Sequence, residues 1–166
     1  MIANSTPLIY LAKLGKIGLL RSLFPRIYIP EAVKQEVIDQ GKAQYEPDAF
    51  IVEQAIQEGW IIVRKTKPLA VLQEMGIDLG ELEAISLAVE MKRKEILLDQ
   101  THARIAAELV GLTPRGTLYV LLRALKENKI SLKEYRLLLE SLLVVGFRMS
   151  EELYLNAIKI GEQIKK

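Results

Sequence analysis

Short apolar runs alternate with longer amphipathic segments along most of the chain, and this alternation restricts the fold more than any other feature. Four of these runs predict strands: "MIA" at 1–3, "RIYIP" at 26–30, "WIIVR" at 60–64 and "EILLD" at 95–99. Helical periodicity follows each of them. Because parallel strands need such crossovers, the order predicts an α/β fold whose parallel sheet is covered by helices on both faces.

Proline, glycine and short polar residues mark the predicted helix boundaries. Pro30 predicts the start of a helix over 31–40 that Gly41 ends, and Asp48 predicts the N-cap of the next helix. These boundaries place a helix directly after the second predicted strand. That helix carries the acidic residue considered below.

From Gly116 onward the pattern is wholly helical. Ser131 and Ser150 predict the N-caps of two helices with wide apolar stripes. We therefore expect 1–166 to form a single domain, in which 131–166 is a helical extension packed on the sheet layer or on a second subunit.

The residue inventory excludes several classes of protein. The chain contains no cysteine and one histidine, His102, which excludes disulfide frameworks, thiolate metal sites and any site that needs two imidazoles. No apolar run approaches the roughly 18 residues that span a bilayer, and the N-terminus lacks the basic segment and cleavage site of a secretory signal. We expect a cytoplasmic protein that makes no membrane contact.

Charge is almost balanced, with 23 basic and 21 acidic residues, so net charge says little about partners. Cations are concentrated in "VRKTK" at 63–67 and "MKRKE" at 91–95. Each cluster is compatible with phosphate contacts and with an ordinary solvated helix end.

Polar side chains follow two of the predicted strands. Asn4 ends the first strand and Asp99 ends the strand at 95–99, so both project from the carboxyl edge of the sheet, where open α/β folds place functional groups. The two side chains meet if these strands are neighbours. Glu36 lies on the helix after the second strand, at the margin of the apolar stripe formed by Val33 and Val37, and can face the same cleft.

Two glutamates begin the helix "LGELEAISLAVE". Glu81 and Glu83 are separated by about 200° around an ideal helix, so both cannot face one point, and one of them has another role. Asp78 and Glu81 have the spacing of an acidic capping box. If the acids do converge, a hard divalent ion such as Mg²⁺ or Mn²⁺ is the usual way to neutralise them, and phosphodiester hydrolysis is the natural reaction.

The chain resembles the PIN-domain family, in particular its toxin-like subgroup. The resemblance rests on a series of segments in family order: "NSTPLIYLAKLGKIGLL", "IYIPEAVKQEVI", "GELEAISLA", "ILLDQTHAR" and "GTLYVLLRALKENKI". It implies five parallel strands between helices and an acidic cleft that binds Mg²⁺ or Mn²⁺. It also implies an endoribonuclease acting on single-stranded or structured RNA, often the toxin of a toxin–antitoxin pair and commonly a homodimer.

The resemblance also implies roles for individual residues. The family's four acidic positions fall on Asn4, on Glu36, on Glu81 or Glu83, and on Asp99, and Ser5 matches the hydroxyl residue that supports the site. Two positions depart from the family pattern, because Asn4 and Gln100 replace acids with amides and so remove negative charge. Arg104, on the helix after Asp99, is the candidate for a phosphate contact.

Three hypotheses remain open at this stage. The first is a metal-dependent endoribonuclease whose remaining acids hold one ion. The second is a nucleic-acid-binding or partner-binding protein of the same fold, whose metal site has degenerated through Asn4 and Gln100. The third, which the sequence disfavours, is a flavodoxin-like phosphate-accepting domain, because "NST" follows the first strand where that class needs an acidic pair.

Overall fold

The computed structural model describes all residues, 1–166. Its strands are β1 (Ile2–Ala3), β2 (Ile27–Pro30), β3 (Ile61–Arg64), β4 (Glu95–Leu97) and β5 (Thr113–Arg115). Its helices are α1 (Ser5–Lys13), α2 (Gly18–Leu23), α3 (Glu31–Lys34), α4 (Gly41–Ala43), α5 (Pro47–Gln57), α6 (Leu79–Glu90), α7 (Thr101–Leu109), α8 (Thr117–Lys126), α9 (Leu132–Val144) and α10 (Glu151–Ile164). A π-helical turn, Gln35–Gln40, joins α3 to α4, and a 3₁₀ turn covers Ala70–Leu72.

The five strands form one parallel sheet in the order β3-β2-β1-β4-β5. This confirms the predicted α/β class, including the additional helices at the C-terminus. Strand β1 pairs directly with β4, in the register Ile2 to Ile96 and Ala3 to Leu97. The chain order reverses between these two strands, so their carboxyl ends open into the crevice where open α/β sheets bind ligands.

Alternate residues of each strand face opposite sides of the sheet, as the period of two requires. Ala3 and Leu97 contribute to one buried core, together with α1, α2, α5, α8, α9 and α10. Ile2 and Ile96 contribute to a second core on the other face, which α6 and α7 cover. The sheet is thus buried on both faces, so a ligand can reach it only at its periphery, for example at the carboxyl ends of the strands.

The two C-terminal helices pack on each other at Tyr135 and both contact α8. This side chain on α9 is fully buried, and its hydroxyl donates a hydrogen bond of 2.9 Å to the carbonyl of Ala157 on α10. Ser131 and Ser150 accept hydrogen bonds from the third residue of α9 and of α10, which confirms both predicted N-caps.

Two local predictions were wrong. The helical segment that begins after Pro30 does not end at Gly41 but continues to Ala43, and Gly41 itself has helical dihedral angles. Glycine is present there because of packing, since a Cβ on residue 41 would lie 2.9 Å from that of Ala49. The next helix begins at Pro47, the residue type favoured at the first helical position, so Asp48 lies inside it and is not its cap.

The pattern of apolar residues predicts no strand between Gly111 and Gly116, where the structure has β5. This strand contains Pro114, which has no amide hydrogen to donate and is tolerated because β5 lies at the edge of the sheet. Only the resemblance implied a fifth strand. No helix of the chain is both long enough and apolar enough to cross a bilayer.

Candidate functional site

A hydrogen-bonded group of polar side chains lies at the carboxyl end of β1. Asn4 is the N-cap residue of α1 and is only 2% exposed. The hydroxyl of Ser5 donates a hydrogen bond of 2.5 Å to Oε2 of Glu36, and Oδ1 of Asn4, at 3.3 Å, is a second and more distant acceptor for the same hydrogen. The structure therefore brings together three residues that are separated by as many as 32 positions in the sequence.

The π-helical turn Gln35–Gln40 carries Glu36 to this point. A π turn inserts an extra residue into the helical repeat and so changes the direction in which the following side chains project. Val37 and Ile38 of the same turn stay buried in the core. Glu36 is consequently held half-buried at the margin of the apolar layer, with its carboxylate toward Ser5.

Gly80, in the first turn of α6, marks the point where carboxylate and amide oxygens converge. A Cβ placed on this residue would lie 3.0 Å from Oε2 of Glu36, 3.4 Å from Oδ1 of Asp78 and 3.5 Å from Oδ1 of Asn4. Because residue 80 has no side chain, these three oxygens can lie close to this turn of the helix. They come from three separate elements: the end of β1, the π turn and the start of α6.

Burial and mutual repulsion raise the pKa values of the acids in this group. The pKa of Glu36 is raised by burial, an effect that the Ser5 hydrogen bond opposes and the charge of Asp78 reinforces. Glu81, which is 5% exposed, has its pKa raised to about 7, chiefly by burial and then by the charges of Asp78 and Glu36. A cation bound here would relieve this repulsion.

Glu81 and Glu83 have different partners, as their angular separation requires. The amide of Glu81 donates to Oδ1 of Asp78 at 2.7 Å, and the amide of Asp78 donates to Oε2 of Glu81 at 3.1 Å, which confirms the predicted capping box. Glu83 points elsewhere: its Oε2 accepts a hydrogen bond of 3.0 Å from the amide of Ala32, at the start of α3.

Asp99 is also engaged by a helix N-terminus. Its Oδ1 accepts from the amide of Thr117 at 2.8 Å and its Oδ2 from the Thr117 hydroxyl at 2.7 Å, at the start of α8. Burial raises the pKa of Asp99, while the Thr117 hydrogen bonds and the charge of Arg104 lower it. Arg104 itself donates to the carbonyl of Leu98 at 2.9 Å.

Gln100 links Asp99 to the oxygen group around Gly80. The Nδ2 of Asn4 and the hydroxyl of Thr6 donate hydrogen bonds of 3.4 and 3.3 Å to Oε1 of Gln100. The two strand ends therefore do meet, but they meet through Asn4 and Gln100 rather than through Asn4 and Asp99. His102, in the first turn of α7, is exposed.

Two cavities open on this edge of the sheet. One, of about 330 Å³, lies beside Gly80 and includes Glu36, Gln40 and Asp78 in its walls. The other, of about 450 Å³, includes Asp99, Gln100 and Arg148. The Asn4–Gln100 hydrogen bond lies between the two sets of residues.

The donor set at Gly80 suits one hard divalent ion. Two carboxylates and an amide oxygen are ligands that Mg²⁺ and Mn²⁺ accept, with water completing the coordination. The chain has no group of three or more histidine, cysteine, aspartate or glutamate residues arranged to hold a metal. A metal site at Gly80 would have to take its third oxygen from Asn4, whose side-chain amide carries no negative charge.

Asp78 and Gly80 are the site residues that the sequence reasoning missed. The predicted capping box accounts for Asp78 by itself, so its proximity to Glu36 was not expected. Gly80 gave a weak signal, since glycine is unfavourable inside a helix unless something approaches it closely.

Comparison with known proteins supports the resemblance deduced from the sequence. A protein-family model described as "PIN domain" matches residues 1–163, almost the whole chain. No curated protein and no solved structure matches the chain. Because the match includes β1, the π turn and α6, it covers every element that contributes an oxygen at Gly80.

Proposed function

The chain belongs to the PIN-domain family, and from that premise we propose that it is a metal-dependent endoribonuclease that hydrolyses RNA phosphodiester bonds. One Mg²⁺ or Mn²⁺ ion would be held by Glu36, Asp78 and Asn4. The observation that carries this proposal is the convergence of one oxygen from each of these residues on Gly80, within 3.0–3.5 Å of a single point that no side chain fills.

The residues around this point have distinct roles in the proposal. Ser5 holds the Glu36 carboxylate toward Asn4 through its 2.5 Å hydrogen bond, so one ligand is oriented before any ion arrives. The capping box fixes Asp78 against the first turn of α6, which brings its Oδ1 to Gly80. When bound, a divalent ion lowers the pKa of a coordinated water molecule and stabilises negative charge on phosphate oxygens.

We assign supporting roles to the other predicted site residues. Glu83 holds the first turn of α3 by accepting from the Ala32 amide, and α3 leads directly into the turn that carries Glu36. Glu81 completes the capping box by accepting a hydrogen bond from the amide of Asp78. Asp99 holds the start of α8, and Arg104 tethers to the end of β4 beside it.

The proposal predicts that purified protein cleaves single-stranded RNA in the presence of Mn²⁺ and that Glu36→Gln reduces this activity at least about 100-fold, because an amide replaces the charged ligand. Asp78→Asn should have a similar effect without loss of the helix, since asparagine caps as well as aspartate. The matched control is Glu31→Gln, an exposed glutamate on the adjoining α3. Cleavage by Glu36→Gln at the wild-type rate would contradict the proposal.

Two observations favour a second function, in which the fold binds nucleic acid or a protein partner without catalysis. The chain lacks any cluster of three acids arranged for a metal, and both carboxylate oxygens of Asp99 are already bound to Thr117. Under this hypothesis Asn4→Asp restores the missing charge, and Mn²⁺ affinity rises at least about ten-fold from an undetectable or millimolar level. If the wild type already binds Mn²⁺ with micromolar affinity and cleaves RNA, the hypothesis of a degenerated metal site is excluded.

The proposed function extends to protein partners. As the toxin of a toxin–antitoxin pair the chain would bind an antitoxin, and it would form a homodimer. This is supported by exposed apolar side chains on the two C-terminal helices: Leu137, Leu143, Val144, Leu153, Leu155 and Ile160. Light scattering after size-exclusion chromatography tests the dimer, and a monomer at all concentrations up to about 100 μM argues against it.

A further inference from the structure

An arginine lines the cavity next to the oxygens of Glu36, Asp78 and Asn4 at Gly80, which we call the oxygen cluster. The guanidinium of Arg148 is exposed and makes no hydrogen bond or ion pair within the chain. The cavity it enters, of about 450 Å³, also includes Gln100. An arginine without an internal partner, in a cavity that borders a site for phosphodiester chemistry, has the donors to bind a phosphate group.

The loop that carries Arg148 is fastened to the helix that begins at the site. The hydroxyl of Tyr10, on α1, donates a hydrogen bond of 3.1 Å to the carbonyl of Gly146. The Tyr10 and Phe147 rings pack edge to face, with centroids 5.0 Å apart and planes at 86°. Because α1 also carries Ser5, the position of Arg148 relative to the oxygen cluster is set by packing within one folded unit.

The side chain of Gln100 connects the cavity to the oxygen cluster. Gln100 lies in the cavity wall and accepts hydrogen bonds from Thr6 and from Asn4, whose Oδ1 faces Gly80. A strand of nucleic acid whose scissile phosphate lies at Gly80 can therefore place a neighbouring nucleotide in this cavity. The only carboxylate in its wall, that of Asp99, is occupied by Thr117.

We propose that Arg148 is a substrate-binding residue, which contacts the phosphate of an RNA nucleotide adjacent to the one cleaved. This inference rests on the proposed function for the identity of the substrate. It also gives the C-terminal extension a direct part in the site, because Arg148 lies in the loop between α9 and α10. Its guanidinium would contribute to affinity and register rather than to the chemical step.

The test measures binding of fluorescein-labelled single-stranded RNA in EDTA, where no cleavage occurs. Arg148→Gln should weaken binding about 10-fold and reduce the slope of log affinity against log salt by about 0.7, which corresponds to one lost contact with a single strand. Arg148→Lys should keep most of the affinity and slope. The matched control is Arg26→Gln, because Arg26 is exposed and precedes β2, so it lies at the amino ends of the strands and not at their carboxyl ends.

Kinetics separate this inference from the proposed function. If the wild type cleaves RNA, Arg148→Gln should raise KM about 10-fold and leave kcat unchanged, whereas an unchanged KM overturns the role of Arg148 and leaves the nuclease standing. If the wild type binds RNA but cleaves none with any divalent ion, the nuclease proposal fails. The binding comparison then still decides the role of Arg148, and equal affinities of wild type and Arg148→Gln overturn it.

Discussion

Replacing Gly80 by alanine tests the convergence point without removing any charge. The new methyl group would lie 3.0–3.5 Å from oxygens of Glu36, Asp78 and Asn4. Bonds of about 2.1 Å to Mg²⁺ require such oxygens to approach a common centre, and a methyl group in contact with all three keeps them apart. We therefore expect Gly80→Ala to abolish binding of the divalent ion.

The same substitution should leave the fold intact. Gly80 lies in a helix and has no positive φ angle, so alanine gains up to about 1 kcal/mol from helix propensity. Against this, the end of the Glu36 side chain must retreat by a few tenths of an ångström from its 3.0 Å contact. The two effects are of similar size, and the free energy of unfolding in EDTA should change by no more than about 1 kcal/mol.

The assay is thermal unfolding with and without Mn²⁺. An ion present at 100 times its Kd adds about 2.7 kcal/mol to the wild type. For a chain of this length that corresponds to a rise of about 5–10 °C in Tm. Gly80→Ala should show no rise. The control is Gly18→Ala, another helical glycine with no heavy atom within 4 Å of its added Cβ. A wild-type Mn²⁺ response in Gly80→Ala would refute the assigned site.

Three further predictions concern pH and packing. Because the pKa of Glu81 is raised from 4.5 to about 7 in the folded chain, the free energy of unfolding in EDTA should fall as pH rises between these values. Glu81→Gln should remove this pH dependence and stabilise the protein at pH 8, by at most about 3 kcal/mol before solvent screening is considered. If urea titrations of Glu81→Gln show the same pH dependence as the wild type, other acids cause it. Thr117→Val should cost about 2 kcal/mol, since it leaves one Asp99 oxygen unpaired, and an unchanged urea midpoint would contradict this. Gly161→Ala should lower Tm by several degrees, because its Cβ would lie 2.5 Å from the Tyr135 ring; an unchanged Tm would mean that α10 does not pack as described.

The parts of the site that follow strand ends could be predicted from the sequence. Asn4 ends β1, and parallel strands place such residues at one edge, so its position follows from the order of strands and helices. The pairing of β1 with β4 was expected only as a condition, and it is observed. Glu36 was correctly expected at the margin of a buried stripe, since Val37 beside it is buried.

Other features depend on contacts between distant segments, which a local pattern does not record. The π turn that directs Glu36 has no sequence signature, because the turn packs against α5 and α1, which are distant from it along the chain or separated by a further helix. The partner of Asp99 is Thr117, 18 residues further along the chain, and its hydrogen bonds form only once β4 and α8 are assembled. Residues with two roles are the hardest case, and Asp78 is one of them.

An anomalous-difference map from a crystal of the wild-type protein soaked in Mn²⁺ would show the proposed metal site directly. We expect one manganese peak per chain, within bonding distance of oxygens from Glu36, Asp78 and Asn4 and in front of Gly80. A map with no peak at this position at saturating Mn²⁺, or with its strongest peak on Asp99 and none beside Gly80, would contradict the proposed site.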